Sequence, residues 1–162
     1  MPSSAEMLPL DPRARLLFHA TAAVRLVTLG IPTVAMVTIG LVVLVAPVPG
    51  LVIGAVLLLL QMLFTVWMPA LSFERYGWQL DDHELLVQRG VVFRNVTAIP
   101  VGRVQHVDVR QGPLEQWLGL ARVHVHTASG VGADGVVPGL DLQTAQELRD
   151  RLVAASERDD GV

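Results

Sequence analysis

The sequence predicts an α-helical membrane hairpin followed by a small α+β domain, in which several antiparallel strands form a small barrel capped by a C-terminal helix. Three observations carry this expectation. From Leu26 to Phe73 there is no Asp, Glu, Lys, Arg or His. Between residues 76 and 137, short alternating runs are punctuated by Gly, Pro and Asp, the pattern of brief strands and turns. From Leu142 onward the apolar residues recur at helical spacing.

Composition points the same way. Of 162 residues, 52% are hydrophobic and 17% charged, with a mean hydropathy of +0.51. A soluble domain holds about 45–50% apolar and about 25% charged residues. There is no cysteine, which excludes disulfides, thiolate metal sites and a cysteine nucleophile. All twelve cationic side chains are Arg and the net charge is −3, so the basic footprint that nucleic-acid binding needs is missing.

The charge-free run splits at Pro47-Val48-Pro49-Gly50 into two blocks of 21 residues, 26–46 and 51–71. As a helix each reaches roughly 31 Å, matching a hydrocarbon core of about 30 Å. Two transmembrane helices joined by a tight turn at 47–50 are therefore expected, forming a hairpin over 26–71. A cleaved signal peptide fits poorly, because 25 residues precede the first block and Leu44-Val45-Ala46 lacks a small-x-small pattern. Residues 1–25 are expected to form a cytoplasmic segment and an interfacial helix, with Asp11 as N-cap and Pro12 at the first helical position. Pro32 is expected to kink the first span. Arg13, Arg15 and Arg25 flank the entry and Arg75 the exit, while the turn is uncharged, which places both termini in the cytoplasm at the cell membrane. Trp67, Tyr76 and Trp78 are expected at the membrane interface together with Arg25 and Arg75. Gln61 falls at the midpoint of the second block, where its amide is expected to bond the partner helix or a second copy.

Residues 72–156 are expected to form a cytoplasmic domain, with 157–162 a polar tail. From residue 74 onward nine Arg oppose thirteen Asp and Glu. Tyr76, Trp78 and Leu80 alternate with Gly77 and Gln79, and Asp81-Asp82-His83 turns the chain into Glu84–Arg89. Gly90 precedes Val91–Ile99, which Pro100 ends. In Arg103–Gln111, Val104 lies on one parity and Val107 and Val109 on the other, so a bulge is predicted near Gln105-His106. Leu114–Leu120 reads as a short helical turn carrying Trp117. Arg122–Thr127 reads as a strand with Val123 and Val125 on one face and Arg122, His124 and His126 on the other. Gly130–Gly135 reads as a loop, and Val136-Val137 as a short strand closed by Pro138-Gly139. Asp141 then caps an amphipathic helix of about four turns bearing Leu142, Ala145, Leu148, Leu152 and Ala155 on one face.

Several of these segments carry a resemblance. They are Arg75-Tyr76-Gly77-Trp78-Gln79-Leu80-Asp81-Asp82, Gln88-Arg89-Gly90-Val91, Ile99-Pro100 followed by Arg103-Val104-Gln105, Gln111-Gly112-Pro113-Leu114, Leu118-Gly119-Leu120-Ala121 and Val137-Pro138-Gly139-Leu140. In this order and spacing, behind an apolar hairpin, they resemble the bacterial pleckstrin-homology (PH) family of the membrane-flanking, YdbS-like type. The resemblance implies a PH-like split barrel of about seven antiparallel strands, capped by the C-terminal helix and held at the cytoplasmic membrane surface. It also implies a binding or assembly role without enzymatic activity.

Other constellations have simpler readings. Residues 130–135 spell G-x-G-x-x-G, but a phosphate-binding loop must open a helix, and Pro138 prevents one there; a hairpin loop is expected. His124 and His126 on one strand face, with His106 and Asp108 nearby, have a spacing that zinc could use. A polar strand face is the simpler reading, and no metal is expected. Ser3, Ser4, Ser72, Ser129 and Ser156 lack the context of a nucleophile. The turn Asp81-Asp82-His83-Glu84 stands where eukaryotic PH domains grip phosphoinositide with basic residues; its acids repel phosphate, so neither phosphoinositide nor any cofactor is expected.

The functional expectation is a non-enzymatic, membrane-anchored interaction module. Its polar run Arg103, Gln105, Arg110 and Gln111, around the strand irregularity, would offer an edge to a protein or peptide partner. The competing role for Arg103 and Gln105 is to cap the barrel ends or brace the domain. Two alternatives are a structural subunit of a membrane complex assembled through the hairpin and Gln61, and a His-based metal-binding domain. The expected partners are membrane lipid through the two spans, and a membrane protein or a second copy of the chain.

Overall fold

With no charge to hydrate, residues 26–73 meet no local obstacle to helix except their prolines. The computed structural model, which describes residues 7–128 and 135–159, makes them helical almost throughout. Helix α1 (Ala14–Arg25) runs through a π-helical turn (Leu26–Gly30) into α2 (Ile31–Leu44). The wide turn lies just ahead of Pro32. Proline has no N–H and would break the ladder, and the Ile31 N–H reaches back to the Leu26 carbonyl instead. The distortion expected at Pro32 is therefore found one turn before it. Helix α3 (Pro47–Glu74) begins after a break at Val45 and Ala46. The turn expected at 47–50 is instead the first turn of α3. A helix's first N–H groups have no intrahelical partner, and the fixed φ of proline suits that position.

The two runs Ala14–Leu44 and Pro47–Glu74 are each long and apolar enough to cross a membrane, with mean hydropathies of 2.3 and 2.4. Most of their large side chains point outward, and three glycines lie where the two runs meet. Gly50 is pressed against the Val42 backbone, Gly54 against the Thr38 side chain, and Gly30 against the Gln61 amide. Small residues at such contacts let backbones approach where no hydrophobic drive exists between helices. The hydroxyls of Thr28, Thr33, Thr38 and Thr65 donate to carbonyls one turn back, so none is left unpartnered at membrane depth.

Phe18–Leu71 is one compact unit, and a second comprises Met1–Leu17 with Ser72–Val162. The second unit contains two three-stranded antiparallel sheets. One holds β1 (Gly77–Leu80), β2 (Glu84–Arg89) and β3 (Asn95–Pro100), in that order; the other holds β4 (Val104–Arg110), β5 (Leu120–Thr127) and β6 (Gly135–Asp141). A single 3-10 turn, Val101–Arg103, joins β3 to β4, and the short helix α4 (Pro113–Leu118) joins β4 to β5. Helix α5 (Leu142–Asp159) ends the described chain, with the Gln143 N–H donating to the Asp141 carboxylate at 3.1 Å, as the N-cap reading expects.

The expected count of about seven strands in a barrel is not reached: six strands form two separate sheets, with no closed barrel among the described residues. The N-terminal segment supplies part of the difference. Leu8 exchanges two backbone hydrogen bonds with Trp78, adding a one-residue bridge to the outer edge of β1. The Asp11 N–H donates to the Gly139 carbonyl of β6, and Leu10, Ala14 and Leu17 are buried. The core lies between the sheets and under α5. Leu85, Val87 and Ile99 belong to the first sheet, Val123, Val125 and Val137 to the second, and Ala145, Leu148 and Leu152 to the helix. Ile99 fills the space that a side chain on Gly135 would need.

Two local expectations are corrected and a third is met. The run expected over Val91–Ile99 is strand only from Asn95, the residues before it forming the turn after β2. Strand β6 does not stop at Pro138 but runs on to Asp141. It is an edge strand, and its register slips between Ala121 and Val123, opposite Pro138 and Gly139, so the missing N–H breaks no ladder. The predicted bulge at Gln105 is present as a register shift between Val104 and His106. The G-x-G-x-x-G run, apart from Gly135, lies outside the described residues, as does the end of the polar tail at 160–162.

Candidate functional site

The four residues proposed to read a partner lie around β4 and take different roles. Arg103 is exposed at the end of the 3-10 turn, and Gln105 is the exposed extra residue of the bulge. Arg110 is committed to Asp108, with 2.7 Å between guanidinium and carboxylate. Gln111 is structural, since its amide donates to the Leu120 carbonyl at 2.6 Å and ties the end of β4 to the start of β5.

Alternation places His106, Asp108 and Arg110 on one face of β4, and register sets them opposite His126, His124 and Arg122 of β5. Asp108 is the hub. It lies 2.8 Å from His106 Nε2 and 3.8 Å from His126 Nε2, besides its bond to Arg110. Arg110 donating to the carboxylate holds Asp108 below the usual carboxylate range. The pKa of His124 is depressed, first by burial and then by Arg110 and Arg122. Its Nε2 is buried without a hydrogen-bond partner among the described residues. Among the described residues, no three or more His, Asp or Glu side chains are placed so that together they could hold a metal ion.

Next to this face, Glu115 is almost fully buried at 1% exposure. One of its oxygens takes the Gly112 N–H and the other takes the Arg122 Nε–H at 2.6 Å. The S/T-x-x-E spacing that advertises a capping box is absent here because Gly112 replaces the hydroxyl residue, so the pair is not legible in the sequence.

A groove of about 1030 Å³ lies at the end of the unit that holds the β1–β2 turn. Asp81, Asp82 and His83 face Arg103 from the 3-10 turn and Asp150 and Arg151 from α5. Periodicity could not have found the last two, because α5 reaches this turn only through the tertiary fold. The interface aromatics divide. Trp67 is 71% exposed on α3, whereas Trp78, expected at the interface, is buried in the core of the second unit. Tyr76 also turns inward: its hydroxyl donates to the Val136 carbonyl, and burial pushes the phenol up to about 12. Both residues precede or open a strand, and the pairing of β1 with Leu8 and β2 draws them inside. Arg25 ends α1, and Arg75 donates to the Val91 carbonyl at 2.7 Å. Gln61 sits against Gly30 of the adjacent helix.

An apolar hairpin joined to two short antiparallel sheets and a closing helix defines a membrane-associated PH-like module. Residues 22–156 match the bacterial PH domain family, and the chain belongs to it. It is 34% identical over 101 residues to the UPF0699 transmembrane protein YdbS of Bacillus subtilis (strain 168), a match covering 62% of this chain and 62% of that protein. No solved structure matches the chain.

Proposed function

We propose that this chain is a non-enzymatic module, tethered by its hairpin to the cytoplasmic face of the cell membrane, that accepts an extended segment of a membrane-protein partner along an open sheet edge. One observation carries the reading. Strands β3 and β4 are consecutive and joined by only three residues, yet each is the last strand of its own sheet and neither carries a second ladder among the described residues. Unpaired edges are templates for strand addition. The bulge at Gln105 and the exposed Arg103 mark the β4 edge as the one with side chains to discriminate partners. The other edges are partly occupied, β1 by Leu8 and β6 by the Asp11 N–H and the Tyr76 hydroxyl.

The test is purification of the tagged full chain in mild detergent, comparing wild type with Gln105→Pro and Arg103→Glu. A proline at the bulged position removes an N–H from the β4 edge at a residue that has no register partner in β5. The expected result is loss of the co-purifying membrane protein with unchanged circular dichroism. Retention of the same partner by both variants rejects the edge. Replacing both spans with an unrelated hairpin separates the alternative, since assembly through the spans would then be lost. Because the chain has no cysteine, labelling Asp82→Cys and Ala46→Cys with an impermeant reagent in intact cells tests the cytoplasmic placement. Ala46 should label and Asp82 should not.

A further inference from the structure

The turn between β2 and β3 holds two neighbouring large apolar side chains clear of the core, with exposures that only Trp117 on α4, at 78%, matches in its unit among the described residues. Val92 is 77% and Phe93 is 86% exposed. The backbone holds them out: Gly90 has a φ of 116°, and a side chain there would collide with the Phe93 carbonyl, so the chain doubles back beneath the tip. Arg89 and Arg94 flank the tip, and Arg75 bonds to it through the Val91 carbonyl.

Charge in this sheet is sorted by end. From Leu85 to Val107 there is no Asp or Glu, although the segment from residue 74 onward is acidic as a whole. Register puts Arg89 opposite Asn95 at one end of the sheet and Glu84 opposite Pro100 at the other. Asp81, Asp82 and Glu84 thus stand a strand's length, roughly 17 Å, from the arginines. The cationic end includes Arg75, the residue after Glu74, where the apolar helix α3 ends.

We infer that Val92 and Phe93 insert into the boundary between headgroups and acyl chains of the bilayer crossed by the hairpin, with Arg75, Arg89 and Arg94 on anionic lipid phosphates. The inference rests on the membrane reading of the hairpin. Apolar side chains ringed by cations are the chemistry of an interfacial anchor. Two side chains on a turn are too small a patch for a stable protein interface, which needs about 800 Å² on each partner, whereas a bilayer gains from each side chain it takes up. The anchor would leave the acidic end of the sheet, with its groove and the Arg103 turn, on the side away from lipid.

Single cysteines in this cysteine-free chain can carry an environment-sensitive fluorophore. Full-length Phe93→Cys, Asp82→Cys and Leu57→Cys proteins are reconstituted into phosphatidylcholine vesicles containing phosphatidylglycerol, and quenching by spin-labelled lipid is measured. The probes at 57 and 93 should be quenched severalfold more than the probe at 82. Omitting phosphatidylglycerol, or adding Arg89→Glu with Arg94→Glu, should lower the signal at 93 and leave that at 57 unchanged. A probe at 93 that matches the one at 82, while 57 is quenched, overturns the anchor and leaves the membrane hairpin standing. A probe at 93 that is shielded from water but not quenched by lipid also overturns it, in favour of burial against a second copy. An unquenched probe at 57 removes the hairpin reading and the anchor together.

Discussion

The two units use the same apolar side chains in opposite ways. In the hairpin, Leu, Val and Ile face outward while Gly30, Gly50 and Gly54 face inward; only 6% of the most apolar window of either helix is buried. In the second unit Leu85, Leu120, Val123, Val125 and Leu152 are almost completely buried. The reversal follows from the solvent each unit is built for. Burial from water stabilises the sheet unit at about 25 cal/mol per Å². Between helices in lipid that drive is missing, and close backbone packing replaces it. A residue's hydrophobicity therefore says whether it will leave water, and its unit decides in which direction.

Truncating matched leucines tests this most severely. Leu152→Ala should cost about 2–5 kcal/mol in the second unit. Leu59→Ala, on the outer face of α3, should cost little in detergent or lipid, because apolar solvent fills the gap. Unfolding followed by near-ultraviolet circular dichroism in mild detergent compares the two, and equal losses would break the contrast.

A smaller effect is expected at Glu115, whose removal strands the half-buried Arg122 and the Gly112 N–H. Glu115→Ala should lower stability by about 2–3 kcal/mol. Glu115→Gln, which can still accept one bond, should recover part of the loss. In the hairpin the counterpart is glycine packing. Gly54→Ala pushes a methyl into Thr38 and should cost about 1–2 kcal/mol, whereas Gly40→Ala meets nothing within 4 Å and should be neutral or stabilising. Heat resistance of the hairpin contact, read by cysteine crosslinking between α2 and α3, distinguishes the two substitutions.

The smallest effect is pH-dependent and confined to the second unit. Burial depresses His124 below its ordinary value of 6.5, so the unfolded chain binds its proton first as pH falls. Stability from this group is intact above 6.5 and declines as pH falls through the lowered folded value. Thermal midpoints at pH 7.5 and 5.5 should differ more for wild type than for His124→Gln. A difference unchanged by that substitution assigns the effect elsewhere.

Much of the fold was legible because it is local. The two spans follow from unbroken apolar length, the bulge at Gln105 from a parity change between Val104 and Val107, and the α5 cap from Asp141 before a helical repeat. The candidate edge was legible only in part. Sequence parity located the irregularity, but Arg110 and Gln111 look as available as Arg103 until Asp108 and the Leu120 carbonyl are placed beside them. The tip at Val92 and Phe93 was hidden for the opposite reason. In the sequence they belong to the single run Val91–Ile99, and only the turn's geometry separates them from β3 and leaves them exposed.

By itself, then, the sequence determined what each stretch of chain can bury and at what period: two charge-free helices, short alternating strands and one amphipathic helix. The tertiary structure decided what those elements meet. It drew Leu8, Leu10 and Leu17 into the sheet unit, turned Tyr76 and Trp78 inward, set Gln61 against Gly30, and left β3 and β4 with one ladder each among the described residues. Periodicity records one residue's relation to neighbours a few positions away. These contacts join residues dozens of positions apart, and their geometry exists only once the chain has closed on itself.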